Sequence, residues 1–121
     1  MAHIDASLPP IRGIVHAAGT LADGILSNVD DRQFGSVFGP KAVGALNLHR
    51  ATLDRDLDFF ISFSSTSSLM GNPGQGNYAA ANAFLDRLAW YRRSIGRAAQ
   101  TIHWGPWSEI GMSATAQGQR S

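Results

Sequence analysis

The chain contains no cysteine, a single lysine, no long apolar run and no block of like charge. Without cysteine there are no disulfides and no thiolate metal ligands, which fits a cytoplasmic protein. The net charge of +1 is spread along the sequence, so neither nucleic acid nor an anionic membrane is implied as a partner. Residues 1–12 lack the basic start and apolar stretch of a signal peptide, and no run is long enough to span a bilayer. His3, His16, His49 and His103 show no metal-ligand spacing, so no metal site is expected. Also missing is the Gly-x-Gly-x-x-Gly turn that holds a dinucleotide pyrophosphate. Only twelve residues precede Gly13, and Gly71, Gly74 and Gly76 fall in a mid-chain loop with Pro73 among them.

What is present describes one domain with a modest core: 121 residues, 44 % hydrophobic and 16 % charged. Short apolar runs at residues 11–18, 57–63 and 98–104 predict three strands, closed by Gly19, the serine cluster and Gly105-Pro106. Between the first two, Asp30 or Asp31 caps a helix whose apolar positions Phe34, Val37, Phe38, Val43, Leu46 and Leu48 recur at helical spacing, with a kink expected at Pro40. Between the second and third, a helix opens at Asn77 or Tyr78 and runs to about Ser94, with Gly96 as its stop. Phe84, Leu85, Leu88 and Tyr91 are predicted on its packed side, and Arg87, Arg92 and Arg93 on its exposed side. The order β-α-β-α-β predicts an α/β fold, a partial Rossmann-like doubly wound parallel sheet with strands buried on both faces, lacking the Gly-rich half. Ligands of such sheets gather at the carboxyl ends of the strands. There lie His16-Ala17-Ala18-Gly19, Ser62 to Ser68, and Trp104-Gly105-Pro106-Trp107.

These residue types suit carbonyl reduction, which needs a hydride at the carbonyl carbon and a proton for the alkoxide. Tyr78 is the candidate acid; a free tyrosine, with a pKa of about 10, needs a nearby cation to exchange protons near neutrality. Lys41, alone against nine arginines, is the candidate cation or else a stray surface lysine. Ser65, at a strand end, can hydrogen-bond the developing oxyanion or simply close a turn. Asn82 follows Tyr78 by four positions and shares its helix face, where it can hold a water or the ammonium, or stand exposed. Asp54, Asp56 and Asp58 read as solvated.

Together, Lys41, Phe63-Ser64-Ser65, the run from Pro73 through Asn77-Tyr78 and Asn82 to Asp86, and Trp104-Gly105-Pro106-Trp107 resemble the β-ketoreductase domain of polyketide synthases, in the short-chain dehydrogenase/reductase superfamily. The resemblance runs from about residue 8 to 114, leaving 115–121 as a tail, and implies the C-terminal part of such a domain. Most of the superfamily carries lysine four residues after the tyrosine. Synthase ketoreductases carry asparagine there and lysine on the preceding helix, as Asn82 and Lys41 do. The resemblance implies NADPH-dependent reduction of a β-ketoacyl thioester on an acyl carrier protein, with Ser65, Tyr78, Lys41 and Asn82 as catalytic residues. It implies cofactor contacts from His16, Ala17, Ala18 and Gly19 and from Gly105, Pro106 and Trp107, although His16 itself reads as a packed strand residue rather than a catalyst, and Trp107 reads equally as plain core. Residues 108–115 resemble the start of a lid over substrate. Asp23, Met70, Pro73, Gln75 and Asn77 resemble the stereocontrol positions of the subtype giving a 3R alcohol, with Ala22 departing from its paired aspartates. Two alternatives stay open: a non-enzymatic piece that needs the missing cofactor-binding half of the synthase, and a stand-alone short-chain dehydrogenase, which the lysine and asparagine exchange disfavours.

Overall fold

The apolar runs form three parallel strands: β1 (Gly13–His16), β2 (Phe59–Ser65) and β3 (Gln100–Trp104), adjacent in that order. This computed structural model describes residues 1–108, 110 and 112. His16 pairs with Ser62, Ser62 with Thr101, and Ser65 with Trp104, so the three carboxyl ends reach one edge of the sheet. The strands start about two residues later than the apolar runs, because the first residues of each run lie outside the ladder. A short helix, α1 (Ala2–Ser7), precedes them.

The first crossover is a helix in three parts. α2 (Asp31–Phe38) is capped by Asp30, whose carboxylate accepts the Gln33 N–H at 2.7 Å. The chain then widens into a π turn, Gly39–Val43, and resumes as α3 (Gly44–Ala51). Pro40 has no N–H to give, and the Gly44 N–H reaches back to the Gly39 carbonyl; the expected kink is an inserted wide turn, and the helix runs on through it. After β2, a single turn, α4 (Ser67–Met70), leads to the long α5 (Gly76–Ser94). α5 ends where Gly96 takes φ 75° and the Arg97 N–H bonds the Arg92 carbonyl.

Both long crossovers move in the same direction along the sheet, so right-handed connection places both on one face. Val37, Ala42, Ala45 and Ala81 are fully buried between them, and Leu85 and Leu88 pack with Ala45 and the half-buried Phe84. On β2, Phe60, Ser62 and Ser64 point into this layer and are buried. Val15 and Phe59, on the opposite face, are 56 % and 44 % exposed, so among the described residues one face only is covered, where burial on both was expected.

Two side chains of α5 reverse their expected places. Tyr91 is exposed, touching the His49 ring edge-on, whereas Arg92 is 1 % exposed. Its guanidinium lies 4.1 Å from the centre of the Phe60 ring, its Nε donates to the Ala98 carbonyl at 3.0 Å, and Nη1 stands 2.9 Å from His49 Nδ1. A planar, weakly hydrated guanidinium is buried on an aromatic face at less cost than a compact ammonium. Burial first, then the charges of Arg92 and Arg50, push His49 below its ordinary range, which keeps Nδ1 an acceptor. Asp58 pairs at the surface with Arg12. No helix among the described residues is long and apolar enough to cross a membrane.

Candidate functional site

The carboxyl ends of the strands open into a cleft of about 1040 Å³. Lys41 stands on the π turn, and the extra residue of that turn carries it to the cleft while leaving Ala42 and Ala45 in the core. It is 4 % exposed; its Nζ donates to the Phe63 carbonyl at 2.7 Å and lies 5.5 Å from the centre of the Tyr78 ring. Its own carbonyl is 2.7 Å from His16 Nε2, so β1 anchors the turn. Burial pushes the Lys41 amine down to about 8. Between about pH 8 and lysine's ordinary 10.5, the unfolded chain holds a proton that the folded chain has released, so stability rises with pH across that window. Urea unfolding at both ends of the window is expected to show the rise in the native chain and its loss in Lys41→Met.

Tyr78 lies in the first turn of α5, and one turn on the Asn82 Nδ2 donates to the Tyr78 carbonyl at 2.8 Å. Asn82 Oδ1 is buried with no partner among the described residues, a polar atom that a proton-carrying group would satisfy. Across the cleft, Ser65 Oγ accepts the Ser67 N–H at 3.1 Å. That bond occupies a lone pair and leaves the hydroxyl proton to be donated elsewhere.

Of the positions expected to control stereochemistry, Asp23, Gln75 and Asn77 are tied into one wall by hydrogen bonds. Asp23 accepts from Gln75 Nε2 at 3.2 Å to both oxygens, and Gln75 Oε1 accepts from Asn72 at 2.7 Å. The Gly24 N–H donates to the Gly74 carbonyl at 2.8 Å, and Gly74 holds φ 78°, which a side chain would strain. Asn77 is 1 % exposed and joins the wall from behind, donating to the Ala22 carbonyl at 2.9 Å. Gln33, which sequence reasoning passed over, donates to the Ala22 and Asp23 carbonyls at 2.9 and 3.0 Å. Met70 lines the rim and is 81 % exposed, while Pro73 lines the cleft beside it.

Of the expected cofactor contacts, Ala17, Gly19, Gly105, Pro106 and Trp107 line the cleft. His16 does not; it is packed beneath, against the Lys41 carbonyl, and Ala18, Asn77 and Asn82 also stand off the cleft wall. The Trp104 ring packs 5.4 Å from Phe63 and 5.3 Å from Trp107. Of the lid expected at 108–115, residues 109, 111 and 113–115 lie outside the described residues, as does the tail. Among the described residues no group of three or more His, Cys, Asp or Glu side chains is placed to hold a metal.

Comparison with known proteins matches residues 1–109 to the family described as KR domain. The chain is 49 % identical over 102 residues to a mycocerosic acid synthase-like polyketide synthase of Mycobacterium tuberculosis, covering 84 % of this chain and 5 % of that one. It is 46 % identical over 119 residues to a spectinabilin polyketide synthase system protein of Streptomyces orinoci, covering 96 % of this chain and 6 % of the relative. Among solved structures it resembles an A1-type ketoreductase, with TM-score 0.90, 38 % identity and coverage of 98 % of this chain and 26 % of that one. It also resembles the first ketoreductase of the tylosin synthase, with TM-score 0.82, 44 % identity and coverage of 92 % and 24 %. The chain thus spans a small part of the synthases and about a quarter of the solved ketoreductase chains that it matches.

Proposed function

Because the chain belongs to the ketoreductase (KR) domain family of polyketide synthases, we propose that it carries the catalytic groups for NADPH-dependent reduction of a β-ketoacyl thioester on an acyl carrier protein, giving the 3R alcohol. The observation that carries this reading is the meeting of Lys41 Nζ with the Tyr78 ring, 5.5 Å away, in a cleft that Ser65 also lines.

The residues present fit one end of the cofactor. Ala17 and Gly19 form a low wall, and a Cβ at Gly19 would fill space 3.6 Å from Lys41 Nζ. Trp104 Nε1 is a buried donor with no partner among the described residues. Ala17, Gly19 and the Gly105-Pro106-Trp107 turn would hold the nicotinamide end, which when bound supplies hydride to the carbonyl carbon. The chain's own groups do the rest. Ser65 donates a hydrogen bond to the carbonyl oxygen as charge develops there and keeps its proton, and Tyr78 gives its phenolic proton to the alkoxide. The Lys41 ammonium, its Nζ 5.5 Å from the ring centre, stabilises the phenolate left behind. Asn82, bonded to the Tyr78 carbonyl, fixes the turn that presents the tyrosine. The Asp23–Gln75 wall is the surface against which the acyl chain is turned, and it supports the 3R outcome.

A second reading has its own support. The chain holds no Gly-x-Gly-x-x-Gly turn, and one sheet face leaves Val15 and Phe59 exposed, as suits a piece that works with the remainder of a synthase. Titrating NADPH into the 121-residue chain, followed by fluorescence, separates the two. Saturable binding, with NADPH consumed and a 3R hydroxyacyl product formed from carrier-bound substrate, is expected on the first reading. A 3S product would overturn the stereochemical part, and no saturable binding would leave the second reading standing.

A further inference from the structure

Outside the groups already described, a polar cluster joins Asp86 and Ser68, with His103 beside them. Asp86 is on α5, eight residues after Tyr78 with Asn82 midway, so the three share one helix face. Its Oδ2 accepts from Ser68 Oγ at 2.7 Å, and its Oδ1 lies 3.0 Å from His103 Nε2 on β3. Ser68 Oγ is also 2.9 Å from the Ser65 carbonyl. A serine hydroxyl has one proton, and both neighbours are acceptors, so that proton is shared between Asp86 and the backbone of Ser65.

The consequence follows from the size of α4. A helix of four residues, Ser67–Met70, cannot hold itself, and its position depends on what fastens it. Two hydrogen bonds that fasten it are the Thr66 N–H on the Trp104 carbonyl at 3.1 Å and Ser68 on Asp86 at 2.7 Å. The first turn of α4 also supplies the Ser67 N–H that orients Ser65 Oγ. We propose that Asp86 is a positioning residue for the Ser65 hydroxyl: through Ser68 it clamps α4 to the helix that bears Tyr78, and so fixes the oxyanion donor relative to the proton donor. This rests on the reading of Ser65 and Tyr78 given above.

The test uses amide hydrogen exchange, resolved by residue, on the full 121-residue chain. Ser68→Ala is expected to speed exchange of the Ser67 amide about tenfold, the equivalent of one hydrogen bond, and to leave Ile14 and Phe60 unchanged. Ser68→Thr, which keeps the hydroxyl, is expected to restore the native rate. Asp86→Ala is expected to act like Ser68→Ala, and the double variant to be no faster than either alone. An unchanged Ser67 rate, an equal acceleration throughout β1 and β2, or additive effects would overturn the proposal. If Asp86→Ala does not fold, Ser68→Ala against Ser68→Thr decides it. In reduction assays, Asp86→Ala is expected to lower kcat with KM for NADPH unchanged. Loss of turnover in Tyr78→Phe but not in Asp86→Ala would overturn the positioning role alone. No loss in Tyr78→Phe would remove the catalytic reading, and the exchange result would still decide the clamp.

Discussion

Replacing Tyr78 by phenylalanine is expected to slow reduction of a carrier-bound β-ketoacyl thioester by a factor of about 10² to 10⁴, the usual contribution of a positioned proton donor. The ring and its place in the first turn of α5 are kept, so the fold and the Lys41 contact with the ring face survive. Only the hydroxyl is lost. The signature is a fall in kcat with KM for NADPH unaltered, because the proton is needed only as the alkoxide forms. Single-turnover measurement would locate the loss in the chemical step. Unimpaired turnover would remove Tyr78 from its role, and a loss confined to KM would make it a binding residue.

The largest expected effect on stability is that of Arg92→Ala, about 3 kcal/mol. Three losses combine in that change: hydrogen bonds from a charged donor to the Ala98 carbonyl and to His49, the contact of the guanidinium with the Phe60 ring, and the packing of the buried stem. The Ala98 carbonyl and His49 Nδ1 are left facing an apolar gap, and that unmet acceptor capacity makes truncation costly. Urea unfolding of native and variant chains measures it. A difference below about 0.5 kcal/mol, the range of ordinary surface substitutions, would show that the guanidinium is not the buried tie described here.

The sequence exposed those features whose causes are local. Asp30 caps α2 because its carboxylate reaches an N–H three residues on, and Gly96 ends α5 because it accepts a positive φ; both are visible in residue type and spacing. The three strands were legible for the same reason. Features decided by distant partners were not. Arg92 falls on the same helical stripe as Leu85 and Leu88, seven and four residues before it, but its charge argues for exposure, and nothing near it in sequence shows that the Phe60 ring and the Ala98 carbonyl lie across its path. Ser67–Met70 is too short for periodicity to mark it as a helix. One-sided burial of the sheet depends on where both crossovers land, and the strand composition does not carry that. The nearness of Lys41 to Tyr78 was legible only through resemblance to a family. Asp86 did leave a signal, since it continues the four-residue spacing of Tyr78 and Asn82, but its meaning depends on Ser68 and His103.

The wide turn at Gly39–Val43 also gives the chain an unusual sensitivity to changes of length. A π turn holds one residue more than its neighbours, and a single residue rotates an α-helix by about 100°. Losing one residue there would relax the segment into an unbroken α-helix, with Val37 and Ala45 still able to face the core. Lys41 would then swing off the cleft and away from the Phe63 carbonyl. The shorter chain would keep its helix but have no ammonium beside its tyrosine, and the buried His16 would lose the Lys41 carbonyl as its partner.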